Sequence, residues 1–369
     1  MSNVDRTSEL ARTGGRNTSS REQRILGIIE TARAKRSRFR DERITMAHGA
    51  GGKATQTLIE GLLAPAFGME ELADAAIVDG GLALTTDSFV VRPLRFPGGS
   101  IGELAVNGTV NDLAMAGARP LALALSLILE EGLAAEELKA EVDAIARAAD
   151  EARVRIVAGD TKVVERGHAD GMYVCTTGLG LIDARAQLSP VGLRPGDRIL
   201  LSGRVGDHGT AIMLARGEFE LGATIESDTR SLWPAVDALL DAAGPQLRCL
   251  RDPTRGGVAS VLNELARASG VAMIVRERDV PVHPAVAGAA ELLGIDPMYV
   301  ANEGKLVAFL APEAAGAALA ALCAVPGGED AAEIGEVRTE PPGMVLVETA
   351  FGGRRVMDQL VGDPLPRIC

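Results

Sequence analysis

Aromatic residues are scarce in this 369-residue chain: 1 Trp, 2 Tyr and 7 Phe, or 3%. That scarcity removes the stacking platforms on which single-stranded nucleic acids are held, and it leaves an aliphatic core. Cysteine is rarer still. Cys175, Cys249, Cys323 and Cys369 form no CxxC pair and follow no regular spacing, which argues against a disulfide scaffold and a zinc site and fits a reducing cytoplasm. No stretch approaches the roughly 18 apolar residues of a membrane span, and no charged start with an apolar core marks a secretory signal. A soluble protein without a membrane partner is expected. Positive charge is also short, with a net charge of −12. Residues 1–43 hold 11 Lys/Arg against 6 Asp/Glu, and the remainder 27 against 44. A body so acidic repels a polyanion, so no nucleic-acid partner is expected, and a polyphosphate substrate would need metal ions to mediate it.

What the chain does have is glycine, 43 residues, and an apolar fraction of 47%, ample for a core in two domains. Residues 1–43, rich in Arg, Ser, Thr and Asn with one short apolar stretch at Ile25–Ile29, read as a mobile extension. From Ile44 strand-like and helix-like segments alternate, the texture of an α/β chain. Strands are expected at 82–86, 156–159 and 172–182, helices at 102–117 and 136–152. A turn at Leu193-Arg194-Pro195-Gly196-Asp197 opens a second half with strands at 198–202, 271–275, 305–311 and 344–349 and helices near 234–243, 257–269 and 313–323. The domains are therefore taken as 44–185 and 186–360, with 361–369 a tail. That tail carries two prolines and a glycine, cannot extend a helix or pair as a central strand, and should project.

Several segments carry residues suited to chemistry. His48-Gly49-Ala50-Gly51-Gly52-Lys53 combines exposed backbone N–H groups with a lysine, an anion cradle or a plain glycine turn. Asp87 and Asp160 close apolar strands, Asp112 lies on a helix, and Asp252 precedes Pro253-Thr254-Arg255-Gly256-Gly257. Short carboxylates so placed suit Mg²⁺ completed by phosphate oxygens; equally, each could cap a helix or close a turn. Gly203, Gly206 and Gly209 lack the dinucleotide spacing, which excludes a Rossmann NAD site. Cys369 ends the chain, where a thiol on a free tail can visit more than one place.

Taken together and in order, HGAGGK, TTDS at 85–88, NGTVNDLAMAG at 107–117, AGDTKV at 158–163, SGRVGDHG at 202–209, DPTRGG at 252–257, ANEGK at 301–305 and the closing PRIC at 366–369 resemble the hydrogenase-maturation branch, HypE, of the PurM-like family of ATP-using enzymes. The resemblance spans about Ile44 to Cys369. It implies a two-domain α/β (α+β) PurM-like fold, an N-terminal sheet that pairs across a homodimer into a β-barrel, a C-terminal α/β domain and a flexible tail. It implies that Cys369 receives a carbamoyl group from the carbamoyltransferase HypF, that ATP drives its dehydration to a thiocyanate, and that the cyanide passes to iron on a HypC–HypD complex. Lys162 and Glu303 stand in segments similar to those that carry the proton-transfer residues. Asp87, Asp112 and Asp252, with Asp160, are implied to hold Mg²⁺. ATP would meet Gly51, Gly52, Lys53, Thr86, Asp87, Asn111, Asp160, Thr161, Arg255 and Gly256. Other PurM-like ATPases need no terminal thiol, and selenophosphate synthetase would place a reactive Cys near the first glycine loop, whereas no cysteine precedes Cys175. The other alternative is a non-catalytic carrier whose tail only docks HypC–HypD.

Overall fold

Leu82 to Phe89 alternates side chains between two faces, burying Ala83, Thr85 and Phe89, the pattern of a strand with one face on a core. In the computed structural model, which describes residues 38–69, 72–217, 224–362, 365 and 367–369, it is β2 of a five-stranded sheet. The strands are β1 Ala76–Val78, β2 Leu82–Phe89, β3 Ala118–Glu130, β4 Arg155–Val164 and β5 Met172–Ile182, in the order β1-β2-β5-β3-β4. All neighbours are antiparallel except β3 and β4. The Ala/Leu-rich β3 is the longest strand, although its composition favours helix. Pairing on both sides, 118–129 with β5 and 122–130 with β4, overrides that propensity.

Helix α1, Ile101–Met115, starts where Ser100 Oγ accepts from the Gly102 N–H at 3.2 Å. It is buried on nearly every side, because its residues enter four separate apolar clusters: Leu104 and Ala105, Val106 and Val110, Leu113, and Ala114 and Met115. A helix so enclosed carries no polar stripe. Helix α2, Ala135–Glu151, is amphipathic and packs beside it.

The second sheet has seven strands: β6 Arg198–Leu201, β7 Leu247–Arg251, β8 Ala272–Arg276, β9 Val307–Leu310, β10 Ala332–Arg338, β11 Val345–Glu348 and β12 Arg354–Met357. Their order is β12-β11-β8-β10-β6-β9-β7, with only β8 and β11 parallel. Helices α3 Asp207–Ala215, α4 Trp233–Ala243, α5 Gly257–Ser269, α6 Pro284–Leu293 and α7 Ala315–Ala324 accompany it. Alternate residues of β6 and β9 split between two cores. Ile199, Leu201, Val307 and Phe309 meet Val258, Leu262 and Leu265 of α5 on one face, while Leu200, Ala308 and Leu310 meet Leu239 and Leu240 of α4 and Leu322 of α7 on the other.

By contact density the chain divides into two units: residues 38–42 with 57–69 in one, in which a Cβ on Gly61 would fall 2.5 Å from the Phe39 nitrogen, and Arg43–Gln56 with 72–369 in the other, which holds both sheets. Residues 1–37 of the expected extension, with Ile25–Ile29, lie outside the described residues. Among the described residues no helix is long and apolar enough to cross a membrane. Phe309→Ala should lower the unfolding free energy by about 3–5 kcal/mol in a urea titration, whereas Val356→Ala on exposed edge strand β12 should stay within about 0.5 kcal/mol.

Candidate active site

Acidic side chains converge where β2, α1 and the turn after β7 meet. The Thr85 hydroxyl on β2 lies 2.8 Å from both the Asp112 carboxylate on α1 and the Asp74 carbonyl ahead of β1. Asp252 is buried directly after β7. One carboxylate oxygen from each of Asp74, Asp112 and Asp252 lies within 4.8 Å of the others. Arg251 donates to Asp74, and Asp87 stands two residues beyond Thr85 on the same strand. Crowding of this kind disfavours ionisation. Burial, then the charges of Asp252, Asp74 and Asp87, hold the Asp112 carboxyl well above the usual range. Burial and Asp74 push Asp252 up to about 8. Asp74 and Asp87 are raised by burial too, against the opposing pull of Arg251 and Arg255.

A set of short carboxylates that cannot all ionise beside one another, with only the guanidinium groups of Arg251 and Arg255 named against them, fits a hard divalent cation, whose charge removes the repulsion. Asp74 was not legible as a member, since Ala73-Asp74-Ala75 has no motif.

Glu303 faces the same cluster. Its N–H donates to Asp228 Oδ1 at 3.0 Å, and Asp228 is itself paired at 3.0 Å with Lys305, both buried. The Glu303 Oε1 atom is buried and has no hydrogen-bond partner. Burial, Asp252, Asp87 and Asp228 keep its carboxyl protonated well beyond the ordinary range, with Arg255 opposing.

The two glycine-rich segments lock together. Gly51 has φ +75°, and a Cβ there would fall 2.7 Å from the Arg255 carbonyl oxygen; only glycine allows that approach. Arg255 donates to the Gly49 carbonyl at 3.0 Å, and Ser260 Oγ to the Gly51 carbonyl at 3.3 Å. Gly256, in the left-handed region, opens α5. Gly52 backs onto Leu360, and Lys53 pairs with Asp358 at 2.7 Å. The exposed Arg255 side chain is held protonated chiefly by negative charge at Cys369, then by Asp87, Glu303 and Asp112.

The tail, expected to project, is docked here. Leu365 and Ile368 are 3% and 1% exposed and belong to the cluster of Phe89, Val91 and Phe96. The Val90 N–H donates to the Cys369 carbonyl at 3.1 Å, so the last residue lies beside the end of β2 that carries Asp87. Two apolar side chains outweigh the conformational freedom that the prolines and glycine suggested.

Other expected residues lie elsewhere. Across the first sheet Ser88 pairs with Cys175, Cys175 with Ser126, and Ser126 with Asp160, and Ser88 Oγ meets Cys175 Sγ at 3.2 Å. Asp160 and Lys162 therefore share the face opposite Asp87 and stand three strand spacings, about 14 Å, from β2. Lys162 is exposed and pairs with Asp160. Thr161 is on the same outer strand, and Thr86 faces outward to Thr177. Within one chain Asp160 cannot join the aspartate cluster, nor Lys162 reach Glu303. Asn111 is buried with its amide bound to backbone: it donates to the Arg230 and Glu303 carbonyls at 3.0 and 3.3 Å and accepts from the Leu232 N–H at 2.8 Å. It braces the junction of the two halves instead of facing a phosphate.

Residues 72–182 match the N-terminal domain, and residues 194–347 the C-terminal domain, of AIR synthase related protein. The carbamoyl dehydratase HypE of Bradyrhizobium diazoefficiens is 51% identical over 332 residues, covering 88% of this chain and 96% of its own. Among solved structures, a HypE–HypF complex superposes with a TM-score of 0.80 at 45% identity over 82% of this chain and 99% of the other. A hydrogenase maturation protein HypE in complex with ATP gives 0.76 at 45% identity over 89% and 100%.

The protonated aspartates set a pH signature. The unfolded chain loses the Asp252 proton near 3.8 while the folded chain keeps it to about 8, so stability falls as pH rises between those values. In EDTA the melting temperature should drop from about pH 5 to about pH 8, Mg²⁺ should raise it more at the higher pH, and Asp252→Asn should flatten the profile. Equal Mg²⁺ shifts at both pH values would remove the metal site.

Proposed function

The chain belongs to the HypE carbamoyl dehydratases of the AIR synthase related family, and from that premise we propose that it dehydrates a carbamoyl group carried on its own Cys369 to a thiocyanate, at the expense of ATP. The balance is R–S–C(O)NH₂ + ATP → R–S–CN + ADP + phosphate. An amide oxygen leaves poorly as water; leaving as phosphate, it needs only that the nitrogen give up two protons. The observation that carries this reading is the position of the terminal residue, with its carbonyl on Val90 and its charge on Arg255, beside Asp87 and the aspartate cluster.

Asp87, Asp112 and Asp252, joined by Asp74, would hold Mg²⁺, which supplies charge neutralisation at the phosphates. Gly51, Gly52, Lys53, Arg255 and Gly256 would bind the nucleotide along their shared ridge. Glu303 is the proton acceptor: burial first, then the charges of Asp252, Asp87 and Asp228, hold its proton, and relief of those charges would weaken that hold so that the carboxylate can take a proton from the amide nitrogen. Lys162 then belongs to the site of a second copy. Its strand β4 is an unpaired edge, with Val157 and Val163 exposed, and the outer face of the sheet presents Leu84 and Leu181, a surface suited to closing a barrel in a homodimer. We take 44–185 and 186–360 as the two functional domains, HypF as carbamoyl donor and HypC–HypD as the acceptor of cyanide, in the cytoplasm, where Cys175, Cys249 and Cys323 stay thiols.

With ATP and Mg²⁺, the carbamoylated chain should lose about 18 Da at its C-terminal peptide, and Cys369→Ala should bind ATP without forming thiocyanate; normal turnover by that variant ends the proposal. Glu303→Gln should stall after carbamoylation. Mixing Lys162→Ala with Glu303→Gln chains should restore about a quarter of the sites if Lys162 acts across the dimer, and none if it acts within its own chain.

A further inference from the structure

The SGRVGDHG segment holds a histidine that the chemistry above does not use. His208, the second residue of α3, is fully buried. Its Nε2 lies 2.7 Å from the Ile368 carbonyl and its Nδ1 2.8 Å from Ser227 Oγ. A carbonyl oxygen only accepts, so Nε2 carries the proton. In a neutral ring Nδ1 then accepts from the Ser227 hydroxyl. Phe96 meets the imidazole edge-on, with centroids 5.6 Å apart and planes at 87°, which fixes the ring plane. Burial disfavours the imidazolium, with Asp228 opposing.

Immediately after α3, Arg216 donates from Nε to the Arg92 carbonyl at 2.8 Å and from Nη2 to the Arg367 carbonyl. The grip is thus on main-chain carbonyls one and two residues before the terminal cysteine. It continues a short ladder in which the Arg92 N–H donates to the Arg367 carbonyl at 3.4 Å, the Val90 N–H to the Cys369 carbonyl, and Arg367 Nε to the Val90 carbonyl at 3.1 Å. The helix that provides the grip is itself fixed to the proton-acceptor segment: the Gly206 N–H donates to Asn302 Oδ1 at 2.8 Å. At Gly209 a Cβ would fall 2.5 Å from Val300 Cγ1 and 3.3 Å from Leu365 Cδ1, so glycine there lets α3 lie against the tail.

We infer that His208 and Arg216 are positioning residues for the terminal thiol, holding the tail by the Ile368 and Arg367 carbonyls so that Cys369 is presented at the aspartate cluster. None of these bonds uses the sulfur, so a loaded tail and an unloaded one are placed alike. The inference rests on the reading of Cys369 as the carrier, but its first test does not.

The test is the rate of iodoacetamide alkylation at each cysteine of the full-length protein, read by peptide mass. Buried Cys249 reports loss of the fold, and exposed Cys323 reports the intrinsic rate. Removing one buried hydrogen bond should raise Cys369 alkylation about tenfold in His208→Ala and in Arg216→Ala, with Cys249 still protected. His208→Gln, whose amide can donate to the same carbonyl, should return most of the protection. Should His208→Ala expose Cys249 as well, Arg216→Ala and Ser227→Ala decide in its place. Wild-type alkylation of Cys369 in the variants that keep Cys249 protected overturns the inference. In the carbamoylated protein the same variants should bind ATP normally and dehydrate about tenfold more slowly, with rescue by His208→Gln. If wild-type protein forms no thiocyanate, the carrier reading fails while the alkylation arm still judges the grip.

Discussion

Repulsion among buried carboxylates is the constraint around which this molecule is arranged. Asp74, Asp112 and Asp252 crowd within one small space, Asp87 is close enough to raise Asp112 and Asp252 further, and Asp252 and Asp87 in turn raise Glu303. Nothing in ordinary packing rewards such a cluster; left ionised, it would push its own scaffold apart. The elements that carry it are accordingly held on several sides. Helix α1 is packed into four apolar clusters, β2 is paired on both sides, and Glu303 is fixed through a buried Lys305–Asp228 pair and the amide of Asn111. The scaffold holds together acids that solvent would separate, at the cost of keeping their protons, and a divalent cation of the kind proposed would remove that cost.

Much of this was legible from residues alone, and the reasons for success and failure are physical. Segments with a clear period or punctuation were placed well: Leu82–Phe89, Met172–Ile182 and Gly257–Ser269 lie where alternation or a glycine start puts them. Ala118–Glu130 falls in no expected element, because an Ala/Leu run has no strand signal of its own until two neighbouring strands are present to pair with it. Of the four aspartates chosen as metal ligands, Asp112 and Asp252 converge with Asp74, and Asp87 is near enough for its charge to act on both; Asp160, expected like Asp87 at a strand end, lies like Asp87 inside its strand but on the opposite face of the sheet. Strand parity and strand order decide that, and neither is written in a local motif. Asp74 is the converse case, a member with no local signature whose place follows only from the Thr85 hydroxyl and Arg251.

The tail shows a different limit of sequence reading. Two prolines and a glycine describe what the backbone of 361–369 cannot form by itself. They say nothing of the apolar pocket awaiting Leu365 and Ile368, nor of the edge that Val90 and Arg92 offer. Docking of this kind is reversible on energetic grounds, since two buried side chains and a handful of hydrogen bonds amount to a few kcal/mol. On the proposed reading of Cys369 as a carrier, an attachment of about that strength would be firm enough to orient the sulfur and weak enough to release it.

A hold exerted on carbonyl oxygens is indifferent to which side chains flank it but sensitive to counting. Adding or removing one residue between Leu365 and Cys369 would shift the thiol by up to about 3.4 Å relative to the carbonyls that are held. The length of this segment is therefore a ruler for the place of the sulfur.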